Sequence, residues 1–411
     1  MKKIRLGLWI IGTFVLAPFL MGQPAENLEN WPLQLKLPQE LGELWGDGRA
    51  QRSLRSEAPD ILLWVPPDVE RIRAVMLIAN NTDSVLIGEH PRVREVAARQ
   101  GMAILYLKHF SGQAIESKDP PDLADKSFET VMALAADATG IDDFHQAPWI
   151  TLGKSSRGRF PFRTTWWFPE RVIASISYHG ETPTWPMANW SKVGENEETS
   201  ESVLHLNIQG LREWDGTWYR HVRPALLNYN RETEWLAHQM VIYGVDHGYY
   251  MDYFLYPNHG ARLEKEHNFT RVTEVWDYIA HFMDAAMTLR VPMELPAGGE
   301  AVKLNSVSRE SGYLIHPRAP EELLGSKWFA LRQNEAGRFQ TIQWPDEPTP
   351  VFAEEQGVLP VDALVRPAGD VPEAERGNYM WIPTRKLLEL WLGHHNLYNR
   401  RAAVLESLDS R

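Results

Sequence analysis

The feature that most constrains this chain is an alternation of short apolar runs with longer amphipathic stretches. Runs at Ile61 to Val65, Val75 to Ala79, Ala103 to Leu107, Trp149 to Leu152, Ile173 to Ser177, Leu204 to Ile208 and Met240 to Tyr243 have the length of strands. Helix-length segments at Pro91 to Gln100, Asp125 to Ala138, Arg157 to Trp167, Thr217 to Leu236 and Arg271 to Leu289 stand between or after them. Strands so uniformly apolar must be covered on both faces, which successive βαβ units achieve. The expected fold class is therefore α/β, with a mostly parallel central sheet flanked by helices. Glu26 to Ala58 reads as an irregular lead-in. Beyond Pro292 the alternation gives way to Gly, Pro and charge. Leu295 to Arg411 is expected to form a C-terminal appendage, with a hairpin around Trp328 to Trp344 and an amphipathic stretch from Thr384 to Leu392.

In such a sheet the loops leaving the carboxyl ends of the strands carry the chemistry. The run ending at Leu152 enters Gly153, Lys154, Ser155, Ser156, Arg157 and Gly158, and a helix follows. A serine on so sharp a turn projects its hydroxyl above the sheet, and small residues are needed where backbone comes close. Gly153 lies two residues before Ser155. Centring the turn on Ser156 keeps Gly158 at plus two, but it puts Lys154 at minus two and moves the serine into the helix. The structural alternative is a glycine-bounded turn whose serines cap the next helix. A phosphate-binding loop is excluded, because that motif needs glycine where the chain has Pro148.

These residues resemble the nucleophile elbow of the α/β-hydrolase superfamily, which is commonly GxSxG and often has a further glycine three residues after the serine. Gly153, Ser155 and Gly158 match that pattern, while Arg157 stands where the family usually has glycine. The resemblance covers about Ile61 to Leu289 and implies a serine hydrolase with Ser155 as nucleophile. A serine hydroxyl reacts once a histidine takes its proton and a carboxylate orients that histidine. In the family's chain order the acid and then the histidine follow later strands. Gln209 to Gly216 offers Glu213 and Asp215 as the acid; Gly244 to Tyr249 offers His247 as the base, with His259 the other loop histidine. The oxyanion hole is expected to join the amide of Ser156 to one from the loop of Asn80, Asn81 and Thr82, with Asn80 as the first candidate.

Composition narrows the setting. Met1, Lys2, Lys3, Ile4 and Arg5 precede an apolar stretch from Leu6 to Met21, the order of a secretory signal. That stretch is shorter than the roughly 20 residues of a membrane-spanning helix and is interrupted by Gly12 and Pro18. The expectation is a signal peptide over residues 1–25, a catalytic domain over 26–294 and the appendage over 295–411. The protein would be secreted or periplasmic with no stable membrane span, and an N-terminal membrane anchor is the alternative. The chain has no cysteine, which rules out disulfides, a lipoprotein anchor and thiol catalysis. A core of this size is stable without cross-links, so export remains compatible. Without Lys2, Lys3 and Arg5, 39 of the 42 basic residues face 54 acidic ones, and the formal charge moves from −12 to −15. Nucleic-acid binding needs a basic face that this chain lacks.

No cofactor and no metal are expected, since His394 and His395 are adjacent and lack the HExxH spacing. The 17 tryptophans include Trp166, Trp167, Trp185, Trp190, Trp214 and Trp218 in segments near the expected site, where flat rings could stack on sugar or aryl groups or pack in the core. With export, the resemblance implies a carboxylic-ester hydrolase acting on a small-molecule or polysaccharide-linked ester, similar to secreted feruloyl-esterase-type and depolymerase-like relatives. A serine peptidase and a noncatalytic glycan-binding protein on the same scaffold are the alternatives.

Overall fold

A computed structural model of the chain describes residues 28–38, 59–81, 84–108, 121–180, 202–210, 217–233, 235–242, 272–297, 299–320, 331–333, 339–341, 359–395 and 400–410. Strands β1 (Leu33–Leu35), β2 (Ile61–Trp64), β3 (Ala74–Ala79), β4 (Met102–Leu107), β5 (Trp149–Lys154), β6 (Val172–Tyr178), β7 (Leu204–Gly210) and β8 (Leu236–Ile242) form one sheet. Their spatial order is β1, β2, β4, β3, β5, β6, β7, β8. From β4 to β8 every neighbouring pair is parallel, and β2 is antiparallel to both of its neighbours. This is the helix-flanked, mostly parallel sheet expected from the sequence.

Helices α1 (Val85–Glu89), α2 (Pro91–Gln100) and α6 (Val272–Arg290) supply the apolar core of one face. Helices α3 (Pro121–Thr139), α4 (Arg159–Trp167) and α5 (Thr217–Thr233) belong to the clusters of the other. In β7, Leu204, Leu206 and Ile208 join the first core, and the period-two alternation turns His205, Asn207 and Gln209 the opposite way. His205 there stacks on Trp235 at 4.0 Å between ring centroids and 3° between planes, and Ser175 hydrogen-bonds its Nδ1. Burial holds His205 at about 3, far below the usual imidazole value, so it is neutral.

Several boundaries differ from those expected. The lead-in expected to be irregular contains β1, which pairs with β2. The helix expected to reach Leu236 stops at Thr233, and β8 begins at Leu236. Trp235 and Leu236 prolong the amphipathic pattern of α5, but Leu236 pairs with Leu204 of β7 and Trp235 stacks on His205.

The segment read as an appendage packs directly on the β8 side. Strands β9 (Tyr313–Ile315), β12 (Val365–Pro367) and β13 (Met380–Ile382) form a second sheet in the order β12, β9, β13. The expected hairpin is formed by β10 (Leu331–Gln333) and β11 (Phe339–Thr341). Helices α7 (Arg385–His395) and α8 (Arg401–Asp409) complete the region. Leu314, Ile315, Trp381, Trp391 and Leu392 share one core cluster with β3 to β8.

An edge strand leaves a row of backbone groups without ladder partners. Along β8 side chains of α7 take up that row. Trp391 Nε1 donates to Gln239 O at 2.8 Å, His394 Nε2 donates to Val241 O at 3.2 Å, and Val241 N donates to His395 Nε2 at 3.1 Å. His395 Nδ1 donates to Trp391 O at 2.7 Å, which fixes the tautomer that leaves Nε2 free to accept. The adjacent histidines set aside as metal ligands thus close the edge of the sheet.

Candidate active site

The central strand β5 lies between β3 and β6 and ends at Lys154. Ser155 follows with φ of 54°, in the left-handed region that side chains other than glycine seldom adopt. Residues 155–157 make one tight helical turn before α4 starts at Arg159. A non-glycine residue held in this way at a strand-to-helix corner is a marker of stored strain at a functional position. Ser155 is half-buried and Ser156 is exposed.

The turn is possible because two glycines admit backbone contact. A Cβ at position 153 would lie 2.7 Å from the Arg157 carbonyl carbon and overlap its oxygen, so only glycine fits there. A Cβ at position 180 would lie 2.6 Å from the Cα of Gly158 and overlap the Ser177 hydroxyl. The close approach at position 157 is thus made by its backbone. The Arg157 side chain leaves the turn, and its Nε donates to Asn80 O at 3.3 Å. Arginine is accommodated where the family pattern has glycine for this reason.

The loop after β3 flanks the turn. Asn80 N donates to Leu107 O at 3.2 Å, Tyr106 Oη donates to Asn80 Oδ1 at 2.6 Å, and Asn80 Nδ2 donates to Lys108 O. The Asn80 amide expected to face an oxyanion is therefore bonded to the next strand in this structure. Asn81 points to the elbow: its Nδ2 donates to Lys154 O at 2.8 Å and lies 3.4 Å from Ser156 Oγ. The sequence offers this loop for its backbone amides and gives no sign of the Asn81 side-chain contact, because a side-chain bond to a strand end far along the chain leaves no spacing signal.

The structure brings Ser155, Ser156 and Asn80 to one corner. Glu213, Asp215, His247 and His259 lie outside the described residues, as does Thr82. Strands β7 and β8 run parallel to β5 and end at Gly210 and Ile242, so the chain leaves both at the sheet edge that carries Ser155.

Two further residues near this edge were not anticipated. His179, just past β6, has φ of 47° and is fully buried, and its N donates to Ile208 O at 2.7 Å. Gln209 Nε2 donates to Gly180 O at 3.2 Å, tying the end of β7 to the segment packed on Gly158. The dipeptide His179-Gly180 at a strand end was the available signal. Trp166 is buried among Phe162, Tyr229 and Trp235, and Trp167 packs against the core, so these two rings serve packing. Trp185, Trp190 and Trp214, and the side chain of Trp218, lie outside the described set. Among the described residues no group of three His, Asp or Glu side chains converges, and no helix is long and apolar enough to cross a membrane. The leader, residues 1–25, lies outside the described residues.

No protein-family model matches the chain, and no curated protein matches it. Solved structures do. A thermostable esterase aligns with 14% identity and a TM-score of 0.35 over 50% of this chain, which spans 58% of the esterase's length. A putative dienelactone hydrolase from Klebsiella pneumoniae aligns with 16% identity and a TM-score of 0.31, covering 51% of this chain and 93% of that one. FphF, a fluorophosphonate-binding serine hydrolase of Staphylococcus aureus, aligns with 11% identity and a TM-score of 0.33, over 49% and 89% of the two chains.

Proposed function

We propose that the protein is an exported serine hydrolase that cleaves carboxylic esters through an acyl-enzyme formed on Ser155. The observation that carries this reading is the left-handed Ser155 at the carboxyl end of the central strand, on a turn that only Gly153 permits. A capping serine needs no such conformation, whereas a nucleophile presented above a sheet does. In the proposed mechanism His247 takes the Ser155 proton as the hydroxyl attacks the ester carbonyl. Glu213 or Asp215 orients His247 and stabilises its cation. The alcohol leaves with the proton from His247, and water then releases the acid by the same sequence in reverse.

The developing oxyanion is assigned to the amide of Ser156, at the start of the helical turn, and a second donor from the loop after β3. The Asn80 amide serves as that donor only by leaving Leu107 O, its present partner. The charge-then-apolar leader supports export, and the acidic balance of the mature chain favours an uncharged or weakly charged ester, free or attached to polysaccharide.

Purified protein would be given short-chain aryl esters, acylated sugars and a peptide panel, beside a Ser155→Ala variant. Ester turnover that vanishes in the variant is the expected result. Faster cleavage of peptides than of esters would turn the reading toward a peptidase, and sugar affinity in a folded protein without any turnover would replace it with a binding role.

A further inference from the structure

We infer that Asn81 is a positioning residue for the nucleophile, gripping the chain on both sides of Ser155 and thereby holding the left-handed turn. The inference rests on the proposed role of Ser155. The carboxamide of Asn81 carries two N–H donors. One bonds Lys154 O at 2.8 Å and the other faces Ser156 Oγ at 3.4 Å, the residues immediately before and after Ser155.

Asn81 is itself held. Its backbone N donates to Ser84 Oγ at 2.9 Å, its carbonyl accepts from Ser84 N at 2.8 Å, and the fully buried Ser84 hydroxyl donates to Ala79 O at 3.0 Å. A return strap runs the other way, from Arg157 Nε to Asn80 O at 3.3 Å. Asn80 is moored to β4 and its exit through Tyr106, Leu107 and Lys108. The loop after β3 and the turn after β5 are therefore laced together by side chains from each. Ser155 stands between the two attachment points in a conformation that the backbone alone disfavours.

The role predicts a kinetic signature that a purely structural residue lacks. Asn81→Leu and Asn81→Asp both remove the donors, one without charge and one with it. In folded protein each variant is expected to lower kcat for an aryl ester, and the rate of fluorophosphonate labelling at Ser155, by about 10- to 100-fold, as for other small displacements of a reacting group. KM should stay within about threefold, because a displaced nucleophile weakens the reaction step rather than ground-state binding. Should the Asn81 variants fail to fold, Arg157→Lys removes the Nε strap and carries the same test, with a smaller drop of the same kind. Wild-type rates of labelling and turnover in these folded variants would overturn the inference while leaving the hydrolase reading intact. Absence of labelling in folded wild-type protein would overturn both.

Discussion

The carboxyl end of β5 and the outer edge of β8 are both places where regular strand pairing stops, and they are secured in opposite ways. At β5 the turn is shaped by steric contact, with polar bonds from Asn81 and Arg157 added to it: Gly153 lets the Arg157 carbonyl press against the strand, and Gly158 packs against the Gly180 backbone. At β8 the solution is polar and remote: Trp391, His394 and His395 deliver side-chain hydrogen bonds to Gln239 and Val241 from 152 to 154 residues away. The first arrangement creates strain at Ser155, and the second relieves the open edge of a sheet. With Ser155 as the proposed nucleophile, the first arrangement would serve chemistry and the second stability.

Acid should separate the two regions most strongly. Burial holds His205 and His238 at about 3 and His395 well below 6.5, under the value near 6.5 expected of an unfolded imidazole. The unfolded chain then takes up protons first as the pH falls. The stabilisation from neutral burial is complete above about pH 6.5 and is lost as the pH drops toward the folded values, by up to about 1.4 kcal/mol per pH unit for each histidine. Urea unfolding at pH 7, 6, 5 and 4 should show this decline, and a flat profile would show that these side chains are not buried neutral. The elbow holds its shape by contacts that do not titrate.

Next in size is Gly153→Ala. The added methyl overlaps the Arg157 carbonyl, so the turn must shift, at about 3 kcal/mol in unfolding free energy and with loss of most esterase activity. Wild-type stability and rate in the Gly153→Ala variant would show that backbone contact does not shape the elbow. His395→Leu should cost about 2 kcal/mol, because the buried Val241 N–H loses its acceptor. His395→Gln, which can accept, should recover part of that loss and also flatten the acid profile. Trp391→Phe removes one donor to Gln239 O and keeps the ring, for about 1 kcal/mol in the same assay. A larger effect of Trp391→Phe on activity than on stability would contradict the division between the two regions.

The same contrast explains what the sequence disclosed. The elbow was legible because a steric requirement between residues a few positions apart leaves a spacing, Gly153, Ser155, Gly158, that can be read directly. The strands β2 to β7 were legible because buried parallel strands are apolar throughout. The three-residue β1 was hidden in a segment rich in proline and glycine, where pairing with β2 rather than local propensity makes the strand. Tertiary pairing likewise moved the start of β8 into what read as helix. The roles of His395 and Asn81 were hidden for a further reason: their partners are backbone atoms, and a backbone acceptor carries no signature in residue type.

The role of Ser155 as nucleophile is tested by identifying the residue that a fluorophosphonate modifies. Folded wild-type protein would be treated with the probe, digested and mapped by mass spectrometry beside Ser155→Ala. One adduct is expected, on Ser155, absent from the variant. An adduct on Ser156, or an unlabelled protein that is demonstrably folded, would contradict that role.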